Sequence, residues 1–256
     1  MNHPYWIAYR TLVGKEVRRF SRIWVQTILP SAVTTALYFA IFGRLIGDRI
    51  GPMDGYAYID FIVPGLILMG VITNAYANAV SSFYQAKFGH FVEELLVSPM
   101  PDWVVLAGYV SGAVARGLAV GAAVTAVALV FTEVHLYSLG VSLGILVLTA
   151  VLFGLAGFIN AIYANSFDDI SIIPTFVLTP LTYLGGVFYS IDLLGSPWRE
   201  LSLGNPVLYM INAFRYGLLG VTDIPLWIAF GVVIAFILVL GAVALTLLHR
   251  GVGIKT

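Results

Sequence analysis

The residues able to carry chemistry are few and scattered. Four histidines, His3, His90, His135 and His249, stand far apart, with no HExxH or similar spacing that would place two imidazoles on one metal. The chain has no cysteine, which removes disulfides, thiolate zinc sites and cysteine nucleophiles together. Gly140-Val141-Ser142-Leu143-Gly144 matches the G-x-S-x-G nucleophile pattern. That pattern works on a strand–turn–helix elbow, whereas here it opens a long apolar run, where small residues let helices pack closely. Leu201-Ser202-Leu203-Gly204-Asn205 has only part of the LSGGQ nucleotide signature and lacks its second glycine. The Gly14-Lys15 pair is followed by Glu16 and has no phosphate-binding glycine loop around it. Neither a catalytic constellation nor a nucleotide site is present in the sequence.

What surrounds these residues is apolar. Of 256 residues 60% are hydrophobic and 10% charged, where roughly 45–50% and about 25% are usual for soluble domains. A soluble globule of this size has too little interior for that much apolar surface, so lipid is the expected solvent. Thirteen basic and thirteen acidic residues cancel, which leaves no basic footprint for nucleic acid. The first 22 residues mix charges with aromatics instead of showing a signal-peptide pattern.

Stretches free of charge and about 20 residues long mark membrane spans. They run Ile23–Gly43, Phe61–Ala86, Trp103–Thr132 (broken by Arg116), Leu136–Phe167, Ile170–Ile191 and Ile224–Leu248. The expected fold is therefore all-α, with six transmembrane helices and both termini on one side. With that side cytoplasmic, the inner segments hold Arg10, Lys15, Arg18, Arg19, Arg22, Lys87, Arg250 and Lys255, against Arg44, Arg49, Arg199 and Arg215 outside. The excess of basic residues inside sets the orientation.

Residues 1–22 form an amphipathic segment. Trp6, Tyr9, Val13, Val17 and Phe20 share a helical stripe opposite Lys15, Arg18, Arg19 and Arg22, the pattern of a helix lying in the cytoplasmic interface. It is read either as a plain anchor or as an anchor that also touches a cytoplasmic partner. The insert 192–223 must begin and end outside. Asn205-Pro206 is an N-cap followed by proline at the first helical position. The run Val207–Leu219 gives about 20 Å of helix, too short to cross, and Leu193–Leu203 supplies a preceding half-helix. The insert reads as a re-entrant helical hairpin.

Polar residues within the spans are the remaining candidates. Arg116 is costly inside a membrane and marks a functional site by default. It is placed near mid-depth, among Gly112, Ala113, Ala115, Gly117, Ala119 and Gly121. A structural pairing with Asp60, Asp168 or Asp169 is preferred here over a place in a polar translocation path. Asn74 and Asn78 share a face of the second span, either as interhelical glue or as cavity lining with Tyr76. In the insert, Arg215 either snorkels to headgroups or helps seal an outer gate. The loop 85–102 contains Phe91–Val97, two turns of helix stopped by Ser98-Pro99. On its residues alone it is a solvated acidic turn.

Glu93-Glu94-Leu95-Leu96-Val97-Ser98-Pro99-Met100-Pro101 resembles the first cytoplasmic loop of ABC-2 type exporter permeases, E-x-L-[LM]-x-[ST]-P-[VIM]. Phe61-Ile62-Val63-Pro64-Gly65 is similar to that family's opening of span two, and Gly185-Gly186-Val187-Phe188-Tyr189 to the outer end of span five. Asn205-Pro206, Arg215 and Gly220 follow the N-P-x8-R-x4-G of its outer hairpin. The order and spacing cover nearly the whole chain. One departure is Lys87, Gly89 and His90, where many relatives carry R-x-x-G-T.

The resemblance implies one ABC-2 transmembrane domain over 1–256, multi-pass in the bacterial inner membrane with cytoplasmic termini. It implies a likeness to permeases that form the translocation path of an ATP-driven exporter as a dimer. Two copies of a separate ATPase then carry ATP and Mg, and this chain binds no cofactor itself. By that likeness Phe91, Glu93, Glu94, Leu95, Ser98 and Pro99 form the coupling helix in a groove of the ATPase. Asn205, Pro206 and Arg215 belong to the outer gate. Partners are then the ATPase, a second permease and membrane lipid, with cargo left open among polysaccharides, lipids and drugs. An ATPase-independent secondary transporter or channel is the alternative, weakened by the missing inverted repeats. A membrane enzyme is disfavoured by the missing constellation.

Overall fold

The computed structural model describes residues 4–253, and the described residues are helical with no strand beyond an isolated bridge between Met53 and Tyr56. His3 and Lys255, counted above, lie outside them. Helix α1 (Pro4–Arg22) leads into a helical run built from α2 (Trp24–Thr27), α3 (Leu29–Tyr38), a π-helical stretch Phe39–Ile46 and α4 (Gly47–Ile50). Then come α5 (Tyr58–Phe88), the short α6 (Phe91–Val97), α7 (Asp102–Phe131) and α8 (Leu139–Tyr163). The next run combines α9 (Asp169–Ile173), a π turn Pro174–Leu178 and α10 (Thr179–Tyr183). A 3₁₀ turn Ile191–Leu193 precedes α11 (Trp198–Leu203), α12 (Pro206–Leu219) and α13 (Leu226–Arg250).

Five helices are long and apolar enough to cross a membrane: Trp24–Gly43, Tyr58–Phe88, Asp102–Phe131, Leu139–Tyr163 and Leu226–Arg250. The stretch expected as the fifth span, Ile170–Ile191, stays helical only to Tyr183. Its three pieces hold five residues each, roughly 22 Å of helix in all. The physical reason lies in its prolines and glycines. Pro174 cannot donate to the ladder, and the helix there widens into a π turn in which the Thr179 hydroxyl donates to the Pro174 carbonyl at 2.9 Å. Gly186 then takes a left-handed φ of +80°, which ends helical continuation.

α5 is the central post. Its faces against α7, α8 and α12 hold Phe61, Ile62, Leu68, Ile72, Ala75, Ala79 and Phe83, all fully buried. The close approach has visible causes. A Cβ on Gly157 would stand 2.5 Å from the Tyr76 carbonyl oxygen, and one on Gly65 would stand 2.7 Å from Val187 Cα. Glycines on α7 do the same for α1, with Gly108 facing Leu12 and Gly112 facing Glu16. The lipid-type surface is carried by α13 and the first helical run, where Trp24, Leu37, Trp227, Leu238 and Val239 are exposed.

The insert 192–223 closes on itself. Asp223 Oδ2 accepts from the Ser190 hydroxyl at 3.1 Å and the Ile191 amide at 3.3 Å, so its two ends meet. Asn205 caps α12 by accepting from Val207 N at 2.9 Å and holds the turn by donating to the Leu181 carbonyl at 2.6 Å. The preceding half-helix is shorter than expected, Trp198–Leu203, because Pro197 and Gly195 start it late.

Candidate functional site: two polar centres and an exposed acidic helix

Polar side chains gather at three places along this apolar frame. The first is beneath the insert. Arg215 on α12 is 1% exposed, with its guanidinium 3.9 Å from the centroid of the Phe61 ring. Its Nη2 donates to the Gly186 carbonyl at 2.7 Å, and Nη1 lies 3.9 Å from Asp223 Oδ2. Snorkelling to headgroups is therefore overturned: the side chain points inward, where a ring, a carbonyl and a carboxylate replace water. Asp54, on the loop nearby, has its carboxyl pushed up, first by burial and then by the neighbouring Asp223 charge. The Tyr58 hydroxyl donates to Phe188 O at 3.1 Å and the Tyr56 hydroxyl to Leu219 O at 2.6 Å. Phe61, Gly65, Gly186, Val187 and Arg215 came from three separate sequence stretches, and they converge on one knot.

The second centre joins α1 to α5 and α7, toward the opposite end of α5. Glu16 is 1% exposed and accepts from the Ser82 hydroxyl at 2.6 Å. Arg19 lies 3.4 Å from it and donates to the Asn78 backbone carbonyl at 3.1 Å and to Asn78 Oδ1 at 2.9 Å. One turn away along α5, Asn74 Oδ1 accepts from Arg116 Nη2 at 3.0 Å and Nε at 3.3 Å, while its amide donates to Ser31 Oγ at 2.9 Å. Asn74 and Asn78 thus bond across helices, and Asn74 also lies in the wall of a cavity between the first helical run and α5.

Several expectations change here. Arg116 pairs with an amide and not with an acid. Asp60 accepts from the Thr132 hydroxyl, Asp169 accepts from the Asn165 and Ser166 amides, and the Asp168 side chain lies at the surface. Arg116 lies midway along α7, one turn beyond Gly112, which faces Glu16 of α1. Tyr76 is 1% exposed and packed against α8 at Gly157, a core residue and not a path-lining one. The stripe on α1 is rotated too: Leu12, Glu16 and Phe20 are buried, whereas Trp6 is 51% exposed. The helix is docked on α7, with the Tyr9 and Ser111 hydroxyls 2.8 Å apart.

Glu16 and the Gly108-x-x-x-Gly112 groove escaped the sequence reading. A signal existed, since Leu12, Glu16 and Phe20 recur at i, i+4 and i+8 on one face. The sequence reading assigned no role to this carboxylate.

The third place is α6. Val92 is buried and Leu95 half-buried, anchoring the helix, while Phe91, Glu93, Glu94 and Pro99 are exposed and Ser98 is half-buried. The Ser98 hydroxyl donates to the Leu95 carbonyl at 2.6 Å and closes the helix. His90 enters it with a left-handed φ of +59°, its Nδ1 3.0 Å from Glu93 Oε1. Just before, Lys87 Nζ donates to the carbonyls of Ile162 and Ala164 at 2.8 Å each. A cation at those last carbonyls of α8 complements the helix C-terminus and ties the acidic helix to two long ones.

Ser142 of the G-x-S-x-G stretch is buried, its hydroxyl donating to the Ser138 carbonyl at 2.9 Å. Gly217 packs against it, so the motif is a helix contact. Among the described residues no group of three or more metal-ligating side chains forms.

A family model described as "ABC-2 type transporter" matches residues 7–219. Over all 256 residues of both chains the sequence is 56% identical to the "Inner membrane transport permease YadH" of Escherichia coli (strain K12). It is 23% identical over 227 residues, 88% of each chain, to "Nodulation protein J" of Rhizobium leguminosarum bv. viciae. To the protein of that name from Rhizobium meliloti (strain 1021) it is 21% identical over 202 residues, 78% of this chain and 77% of the relative.

Proposed function

The chain belongs to the ABC-2 type transporter family and is a membrane permease component without ATPase activity of its own, and from that premise we propose that it is the path-forming subunit of an ATP-driven exporter in the bacterial inner membrane. It works as a homodimer with two copies of a separate ATPase, which carries ATP and Mg. The coupling reading rests on α6: two exposed carboxylates, Glu93 and Glu94, stand on a short helix anchored by Val92 and adjoining the Lys87 tie to α8. A push on α6 would travel along α5 and α8 and not be lost in a loose loop.

This reading takes six crossings with both termini cytoplasmic, five of them the long apolar helices. The run 169–183 makes the fifth crossing together with the irregular segment 184–190, whose Gly186 carbonyl and Val187 are buried under the insert. Irregular backbone at membrane depth is tolerable when covered by protein in this way. The insert 192–223 is then a re-entrant hairpin on the outer face, opposite α6, and its knot around Arg215 is part of the outer gate. The first helical run and 169–183 are joined by the Tyr38 and Tyr183 hydroxyls, 2.8 Å apart. Their exposed apolar residues, Val33, Leu37, Phe176 and Val177 among them, supply a face for the second permease.

The test is charge reversal. Glu93→Lys with Glu94→Lys should abolish co-purification with the ATPase, or its stimulation, while the permease inserts and melts as before. Unchanged association and hydrolysis would refute the coupling assignment.

A further inference from the structure

Around Asn74 and Asn78 the charges do not balance. Arg19 and Arg116 bring two guanidiniums, and Glu16 is the only carboxylate within ion-pair distance of either among the described residues. Glu16 serves Arg19, so Arg116 is left with a neutral amide. Hydrogen-bonding capacity is skewed the same way. Each guanidinium carries five N–H donors, and Arg19 Nε and Asn78 Nδ2 are buried without an acceptor among the described residues. An uncompensated cation in an apolar surrounding is costly, and an anion close by would relieve the charge deficit.

Space for one adjoins the pair. A cavity of about 190 Å³ lies between the first helical run and α5, with Ser31, Thr34, Thr35, Thr73 and Asn74 in its wall. Asn74 connects the two, for its carbonyl oxygen faces Arg116 and its amide faces Ser31 in that wall. The positive field of Arg116 thus reaches the cavity at the remove of one side chain, and the hydroxyls of Ser31, Thr34, Thr35, Tyr38 and Thr73 line it beside Leu66 and Met69.

We propose that this cavity, backed by Arg116 and Asn74, binds an oxyanion, the phosphate group of an anionic lipid or of a phosphorylated cargo. The assignment does not depend on the coupling role of α6. Bound there, the phosphate oxygens accept from the wall hydroxyls and supply the missing counter-charge. Charge-assisted bonds of this kind are the strong ones.

The experiment uses the full-length permease purified in neutral detergent, with lipid retention read by native mass spectrometry and by melting temperature. Phosphatidylglycerol should bind with about tenfold or greater preference over zwitterionic phosphatidylcholine, a factor of ten being about 1.4 kcal/mol. Arg116→Gln should reduce that preference to about twofold or less. Thr34→Leu fills the cavity wall without touching the buried charges and should do the same, so the test survives if the arginine variant fails to fold. Arg199→Gln, on the exposed insert away from the cavity, should leave the preference intact. If inorganic phosphate competes the lipid away, the site reads a free oxyanion and suits a soluble phosphorylated cargo. If phosphate does not compete, the lipid headgroup itself is the ligand. Equal binding of the two lipids by the wild type overturns the proposal, as does a preference that survives Thr34→Leu.

Discussion

Replacing Arg215 by methionine tests whether the knot beneath the insert is held by this one side chain. Methionine keeps the length and loses the guanidinium. The loss includes a charge-assisted bond to the Gly186 carbonyl at 2.7 Å, worth about 1.5–3 kcal/mol. It includes the stacking on Phe61 at 3.9 Å, about 2 kcal/mol when desolvated. Asp223 is only partly orphaned, because Ser190 and the Ile191 amide still donate to it, and at 3.9 Å the ion pair is long. The sum falls at about 3–5 kcal/mol, the range for breaking a buried pair. At roughly 2–4 °C per kcal/mol for a chain of this size, the melting temperature in detergent should fall by roughly 6–20 °C. Arg215→Lys should also destabilise, since an ammonium cannot lie flat on the ring as a guanidinium does. Asp223→Asn should cost less than either. The double variant should cost less than the sum of its parts, as removing the arginine relieves the demand for its partner. An Arg215→Met protein that melts within about 1 °C of wild type would refute the buried-knot argument and return Arg215 to the surface.

Two further outcomes follow from the geometry. For the hairpin, cysteines at Asp192, whose side chain is 66% exposed, and at Trp227, 77% exposed, should both react with an impermeant thiol reagent in intact spheroplasts; labelling of one from each side would mean that the insert crosses. For the docking of α1, Gly112→Val would drive a side chain into Glu16, whose Cβ already lies 2.5 Å from where a Cβ at this glycine would stand; hydrogen exchange across Leu12–Phe20 should rise sharply, and unchanged protection would mean that α1 is not held by this groove.

What the sequence made legible divides by physical cause. Long apolar runs announce helices because lipid permits no unpaired backbone, and five of six expected spans appear as long helices near their expected bounds. The remaining one was misjudged because a charge-free run measures what lipid tolerates, and says nothing of what the backbone does. Pro174, Pro180 and the Gly185-Gly186 pair were plain in the sequence, and they end the helix at Tyr183 although the segment stays apolar to Ile191. The N-cap at Asn205 was legible because capping is local. Polar partners were not. Arg116 was expected to find an acid, since charge is the first rule for a buried cation, yet two amides on successive turns of α5 receive the two arginines. Glu16 had no expected partner, yet a glycine groove on α7 and Ser82 on α5 take it in. Such pairings are set by which helix faces which, and that is decided by the fit of Gly108, Gly112 and Gly157 against their neighbours. A single arginine or glutamate therefore signals from the sequence that a partner exists, while the small residues across from it decide which helix brings that partner.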